Sequence, residues 1–104
     1  MSDFDYKQLD DIIHSRIRLA VMAVLASLKH ADFSFLKAKV NATDGNLSVH
    51  LRKLEEAEYI KVDKRFIERK PVSQYQLTKK GREAFKVYID RLESLISPTS
   101  GDKS

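Results

Sequence analysis

The apolar positions of this chain recur at two periods, and the change between them divides it into elements. From Ser15 onward, Ile17, Val21, Val24, Leu25 and Leu28 return at intervals of three and four, the spacing of one helical face. Ser15 is a suitable N-cap, because its hydroxyl can accept from a free first-turn N–H. Upstream, Leu9, Ile12 and Ile13 extend the stripe as a short helix or turn. Asp32–Val40 (DFSFLKAKV) reads as a second, shorter helix. In it Ser34 is the expected cap, Leu36 and Val40 share a face, and Phe33 plugs the core just before the helix starts. Asn41-Ala42-Thr43 then forms a turn of about three residues, the length found in a helix-turn-helix. Thr43 caps the third helix and Asp44 opens it, where the helix dipole favours a carboxylate. Leu47, Leu51 and Leu54 fall on the buried side, with Glu58 near the end.

After Tyr59 the period drops to two. Ile60 and Val62 alternate with Lys61 and Asp63, which predicts a strand. Phe66–Ser73 (FIERKPVS) reads as a loop with Arg69, Lys70 and Pro71 at or near its tip. Gln74 to Leu77 alternates again, so the two strands make a β-hairpin around a basic loop. Thr78 caps a last helix running to about Ile96. In that helix Phe85, Tyr88, Leu92 and Leu95 recur at coiled-coil seam spacing, and Ile89 and Ile96 widen the stripe. The expected fold is mainly α with a small β-hairpin, one domain over residues 8–96 followed by a polar tail at 97–104.

Charge sharpens this outline. The net charge is +4, yet residues 61–82 alone carry eight basic and two acidic groups. Such a concentration favours a polyanionic partner, although a solvated, charged hairpin would look the same on charge alone. With no cysteine there are no disulfides and no thiolate metal sites, and a reducing cytoplasm is the expected setting. The acidic N-terminal stretch has no basic n-region, so no signal peptide is expected there. The longest apolar run, around Leu19 to Ala26, is too short to cross a bilayer.

The third helix carries the candidate chemistry. Opposite its leucines lie Gly45, Val49, Arg52, Lys53 and Glu56, flanked by Asn46 and Ser48. A helix entering the major groove needs short polar groups at its N-terminal end for base edges, and cations further along for phosphate. Gly45 would let backbone approach backbone closely. An ordinary surface helix with a threonine cap would satisfy the same pattern. Arg69 and Lys70 in the hairpin can meet the adjacent minor groove or backbone. Lys79, Lys80 and Arg82 oppose the dipole of the last helix, which leaves phosphate contact or plain surface charge to explain them. That helix is about 27 Å long, nearly the length of so small a domain. The stripe could pack wholly inside one protomer, but its distal half, with Leu92, Leu95 and Ile96, is expected to have no core beneath it, so Phe85, Tyr88, Leu92, Leu95 and Ile96 are expected to pair with the same helix of a second copy. His14, His30 and His50 lack metal-site spacing, and His50 reads as a boundary residue. No nucleophile–base pair, phosphate-cradling loop or carboxylate dyad is present in the sequence, so no enzyme and no cofactor are expected.

The segments TDGNLSVHLRKLEEAEYIKVDK and YQLTKKGREAF together resemble the winged-helix DNA-binding regulators of the MarR/ArsR-like group. The closest resemblance is to the small single-domain type with a TDGNLSxHLxxLE core, and IIHSRIRLAVMAVL resembles its opening helix. The resemblance implies a winged helix-turn-helix with a recognition helix at about 43–57, a wing at about 60–77 and a C-terminal dimerisation helix at about 78–96. It implies a homodimeric transcription factor, usually a repressor, bound to double-stranded DNA. The implied contacts are Thr43, Gly45, Asn46, Ser48, Val49, Arg52 and Lys53, with Arg69 and Lys70 from the wing and Lys79 beyond it. The group usually has glycine where Glu58 stands, and a glutamate reaches φ > 0 only at a cost. It often has proline where Arg16 stands. The cysteines or His/Asp cluster of ArsR-type metal sensing are missing, so no metal effector is expected; a small-molecule effector is left open. Two other readings remain: a protein-interaction winged helix, and a non-specific architectural DNA binder.

Overall fold

The computed structural model describes residues 9–96. The predicted tail at 97–104, and residue 8 of the expected domain, lie outside the described residues. In chain order the elements are α1 (Arg16–Ser27), β1 (Ala31–Asp32), α2 (Phe33–Val40), α3 (Asp44–Glu56), β2 (Ile60–Ile67), β3 (Lys70–Leu77) and α4 (Lys79–Ile96). The three strands form one antiparallel sheet in the order β1-β3-β2. This is the winged helix-turn-helix arrangement that the resemblance implied, with one strand more than the periodicity suggested. β1 has two residues and pairs Ala31 with Tyr75 and Asp32 with Gln74, too short to leave an alternation in sequence.

Several local expectations hold. Ser15 caps α1, its Oγ accepting from the N–H of Arg18 at 3.4 Å. Thr43 caps α3, its Oγ1 accepting from the N–H of Asn46 at 3.2 Å. Thr78 caps α4 through the N–H of Gly81 at 2.9 Å. Leu47, Leu51 and Leu54 are all buried, joining Val21, Met22, Leu25, Leu36, Ile60 and Leu77 in a single core. Each such leucine contributes about 1.5–3 kcal/mol relative to exposure, which fixes the rotation of α3 about its axis. Leu9 and Ile13 seal the N-terminal side of the same core.

Other expectations are corrected. Asp32, not Ser34, caps α2, its Oδ1 accepting from Phe35 N–H at 2.8 Å, and Phe33 is the first residue of that helix. Leu28 lies past the end of α1 and is exposed, while Val21 and Leu25 of the predicted stripe are buried together with Met22, which the stripe left out. Glu58 lies just beyond α3, as expected, and does take the positive φ, 66°, that glycine would adopt freely. There the N–H of Glu58 donates to the carbonyl of Glu55 and the N–H of Tyr59 to that of Leu54, the paired bonds of a Schellman cap. The cap forms with glutamate in the position that normally suits glycine.

The largest correction concerns the hairpin. The loop expected over Phe66–Ser73 is paired strand except at Glu68 and Arg69, which sit at φ 52° and 69°. Two consecutive positive φ values between paired Ile67 and Lys70 make a tight type I′-like turn. Lys70 and Pro71 therefore belong to β3, and of the three residues expected at or near the tip only Arg69 lies in the turn itself. Pro71 is tolerated because its partner Phe66 is one pair beyond the turn-closing pair, a position where antiparallel strands exchange no N–H···O bond.

Candidate nucleic-acid interface

The surface of α3 opposite its leucines is bare among the described residues. Thr43, Gly45, Asn46, Ser48, Val49, Arg52 and Lys53 are all exposed, Val49 to 51%. A half-exposed valine in mid-helix gains nothing for the fold, and it offers a methyl surface to whatever covers the helix. Space around Gly45 is open: a Cβ built there meets nothing within 4 Å. The Asp44 carboxylate, which would repel phosphate at this end, is paired with Lys37 Nζ at 2.8 Å.

The hairpin stands beside this helix. Between them runs a cleft lined by Ser48, Arg52 and Glu55 from α3 and by Val62, Lys64 and Tyr75 from the strands. Lys64 thus faces the same space as Arg52, a placement that the sequence did not single out. Its signal was available: Lys64 is two residues from Val62 on a strand, hence on the same face. Burial, then the nearby Glu55 carboxylate, pushes the Tyr75 phenol up from its ordinary value, with the hydrogen bond to Ser73 opposing them. Arg69 sits in the turn and Lys70 closes it, both exposed. Arg65 is on the other face of β2 and pairs with Asp63.

Lys79 is not brought to this group. It opens α4, whose first turn is fastened beyond the C-terminal end of α3. Thr78 N–H donates to Tyr59 O at 3.0 Å, Thr78 Oγ1 donates to Glu58 O at 2.6 Å, and Lys80 Nζ lies 3.7 Å from Glu58 Oε1. That end is roughly 20 Å along the helix from Gly45. Lys53 also lies toward the C-terminal half of α3, lining a hollow with Arg18 and Ile12. Its neighbour His50 accepts through Nδ1 from the Arg18 guanidinium at 2.8 Å. Burial first, then Arg18, then Lys53, hold the His50 pKa below its ordinary value. His50 is therefore the boundary residue expected.

Of the residues proposed to join two copies, Tyr88 is placed inside the protomer. It is 3% exposed and its hydroxyl meets His14 Nδ1 at 3.0 Å. Phe85, Leu92 and Leu95 are half-buried against the core edge, so the distal half of α4 is not wholly without support. Ile96 is 61% exposed, and Val87, absent from the predicted stripe, is 46% exposed. The N-terminal segment is tied into the same region by Asp10, which accepts from the Tyr59 hydroxyl and from Ile12 N–H. Burial, followed by the hydrogen bond to Asp10, pushes the Tyr59 phenol up to about 12.

Comparison with known proteins agrees with this geometry. Residues 17–96 match the family described as "Winged helix DNA-binding domain". An uncharacterised protein of Methanocaldococcus jannaschii is 42% identical over 78 residues, covering 75% of this chain and 85% of that protein. A transcriptional regulator homologue from Pyrococcus horikoshii superposes with a TM-score of 0.78 at 29% identity, covering 89% of each chain. A putative MarR-like transcription regulator from Bacillus cereus shares the fold at a TM-score of 0.69 and 22% identity, over 94% of this chain and 73% of that one. No helix among the described residues is long and apolar enough to cross a membrane.

Proposed function

The chain belongs to the winged helix DNA-binding domain family, a family of binding proteins and not of enzymes, and on that premise we propose that it is a dimeric, sequence-specific regulator of transcription. It acts as a repressor in the cytoplasm. α3 enters the major groove of double-stranded DNA, with Asn46, Ser48 and Val49 at base edges and Arg52 on a base or phosphate. Thr43 and Gly45 bring the helix N-terminus against the backbone. Lys64, Arg69 and Lys70 of the hairpin follow the flanking phosphates or minor groove. The observation that supports this most is the orientation of α3: three buried leucines turn every candidate contact residue outward, beside a hairpin that adds cations on the same side. Dimerisation through α4 would set two α3 helices about 34 Å apart, reading a pseudo-palindrome.

Selection of bound sequences from a random duplex pool tests the proposal directly. One enriched motif with two half-sites about ten base pairs apart is expected. Against that duplex, Asn46→Ala and Arg52→Ala should each lose about 1–3 kcal/mol and relax the base preference. Arg69→Ala should weaken all duplexes alike and flatten the salt dependence. Gly45→Ala, which meets no protein atom, should leave the melting temperature unchanged or higher yet weaken binding. Recovery of no motif, or wild-type binding by all four variants, refutes this docking.

A further inference from the structure

The tip of the hairpin carries an apolar group that neither the core nor the proposed contacts use. Phe66 is 75% exposed, the most exposed of the large hydrophobic residues among those described, and the adjacent Ile67 is 47% exposed. Alternation along β2 places Phe66 on the same face as Val62 and Lys64, the face that forms the cleft with α3. It lies about 7 Å further out than Lys64, past the end of the cleft. Directly across the strands is Pro71, also exposed, so ring and pyrrolidine form one apolar point. Lys64 shares this face and Arg69 stands in the turn, while Lys70 and Arg65 project from the reverse face of the ribbon, Arg65 beside Asp63; Glu68 is the one acid of the turn.

An apolar point on a thin ribbon with cations on both of its faces suits few partners. Seating it in a protein pocket would strip water from those charges without pairing them. Stacking hairpin tips from two copies would bring like charges together. A duplex minor groove answers both requirements. Its two phosphate rows flank a slot about 6 Å wide, and its floor is a stack of flat bases between which an apolar wedge can enter. Lys64 and Arg69 on one side and Lys70 on the other then meet the two phosphate rows as the ring meets base.

We propose that Phe66, backed by Pro71, is a wedge that enters the minor groove beside the α3 site and opens a base step, so that this protein bends the DNA it reads. The inference rests on the function proposed above and adds to it a deformation of the duplex. The wedged step carries little hydrogen-bond information but must be easily unstacked, so a TA or CA/TG step is expected under the hairpin. The rigid two-residue turn matters here, because a floppy loop could not transmit the force that parts two bases.

The test uses the full chain and a duplex of about 30 base pairs enriched by the wild-type protein from a random pool. The duplex is end-labelled for energy transfer and carries 2-aminopurine at successive positions in the flank. Anisotropy reports binding; energy transfer and 2-aminopurine emission report bending and unstacking. Wild type should bend the duplex and raise emission at one flanking position. Phe66→Ala should retain binding about tenfold weaker, with the bend and the emission signal lost. Phe66→Leu, still apolar, should keep part of both. As Phe66 is exposed, both variants should melt like wild type, which separates the effect from misfolding. A straight, fully stacked duplex under wild type, or an unchanged bend with Phe66→Ala, overturns the wedge and leaves the docking of α3 standing. Absence of any anisotropy change with any duplex overturns both. A Phe66→Ala effect on self-association alone, with DNA bending unchanged, overturns the wedge in favour of a contact between copies.

Discussion

At Gly81 a methyl group would stand 1.9 Å from the carbonyl oxygen of Tyr59, in the space where the start of α4 crosses the end of α3. No side chain can move aside there, since the atom struck is backbone. Gly81→Ala should therefore destabilise the fold by about 3 kcal/mol, read as a lowered urea midpoint with little change in slope. An unchanged midpoint would mean that α4 can swing away from Tyr59. His50 gives a residue-scale prediction in pH. Its native pKa lies below the unfolded value near 6.5, so the unfolded chain binds the proton more readily. Its contribution is complete above about pH 6.5 and is lost as pH falls through the interval down to the native value. Thermal melts of His50→Gln should show a flatter acid limb than wild type; identical limbs would remove His50 as the cause. Neither effect is visible from sequence alone. Gly81 sits in a helical run with nothing to mark a crossing, and the His50 pKa is lowered by burial first and then by Arg18, 32 residues earlier, neither of which the sequence displays.

Among the elements, α3 was legible because everything that shapes it is local. Its cap, its dipole-matched Asp44 and its leucines at three- and four-residue spacing act within the helix. The hairpin was only half legible. Its strands show alternation near the core, but its turn is Glu68-Arg69, lacking the Asn-Gly signal of a type I′ connection. Pro71 then discourages a strand reading where a strand exists. This turn holds two non-glycine residues at positive φ, each costing about 1–2 kcal/mol. Replacing Glu68-Arg69 by Asn-Gly should stabilise the hairpin by about 1 kcal/mol in thermal melts and yet weaken DNA binding through loss of the Arg69 guanidinium. Gain of stability together with unchanged affinity would show that Arg69 makes no contact.

At the scale of the whole molecule, the proposed dimer calls for a surface on which two copies can meet. Ile96 is exposed on α4, with Leu92 half-covered one turn before it and Leu95 half-covered nearby, a face that a second helix could complete, while exposed Val87 points to the other side of the helix. Tyr88 is already spent on the protomer core. Wild type is therefore expected to scatter light as a dimer and Leu92→Asp and Leu95→Asp as monomers, whereas Tyr88→Ala should chiefly lower the melting temperature. Dimers that survive both aspartates would place the contact elsewhere, for instance at the N-terminal segment. Sequence by itself determined the four helices, the hairpin and the outward face of α3, because periodicity and caps are set by neighbours within a few residues. Only the tertiary structure decided the third strand, the tightness of the turn, the crossing at Gly81, the inward fate of Tyr88 and the bare Phe66 at the tip. Each of these depends on which atoms distant parts of the chain bring together, and a pattern of residue types carries no record of the space left between them.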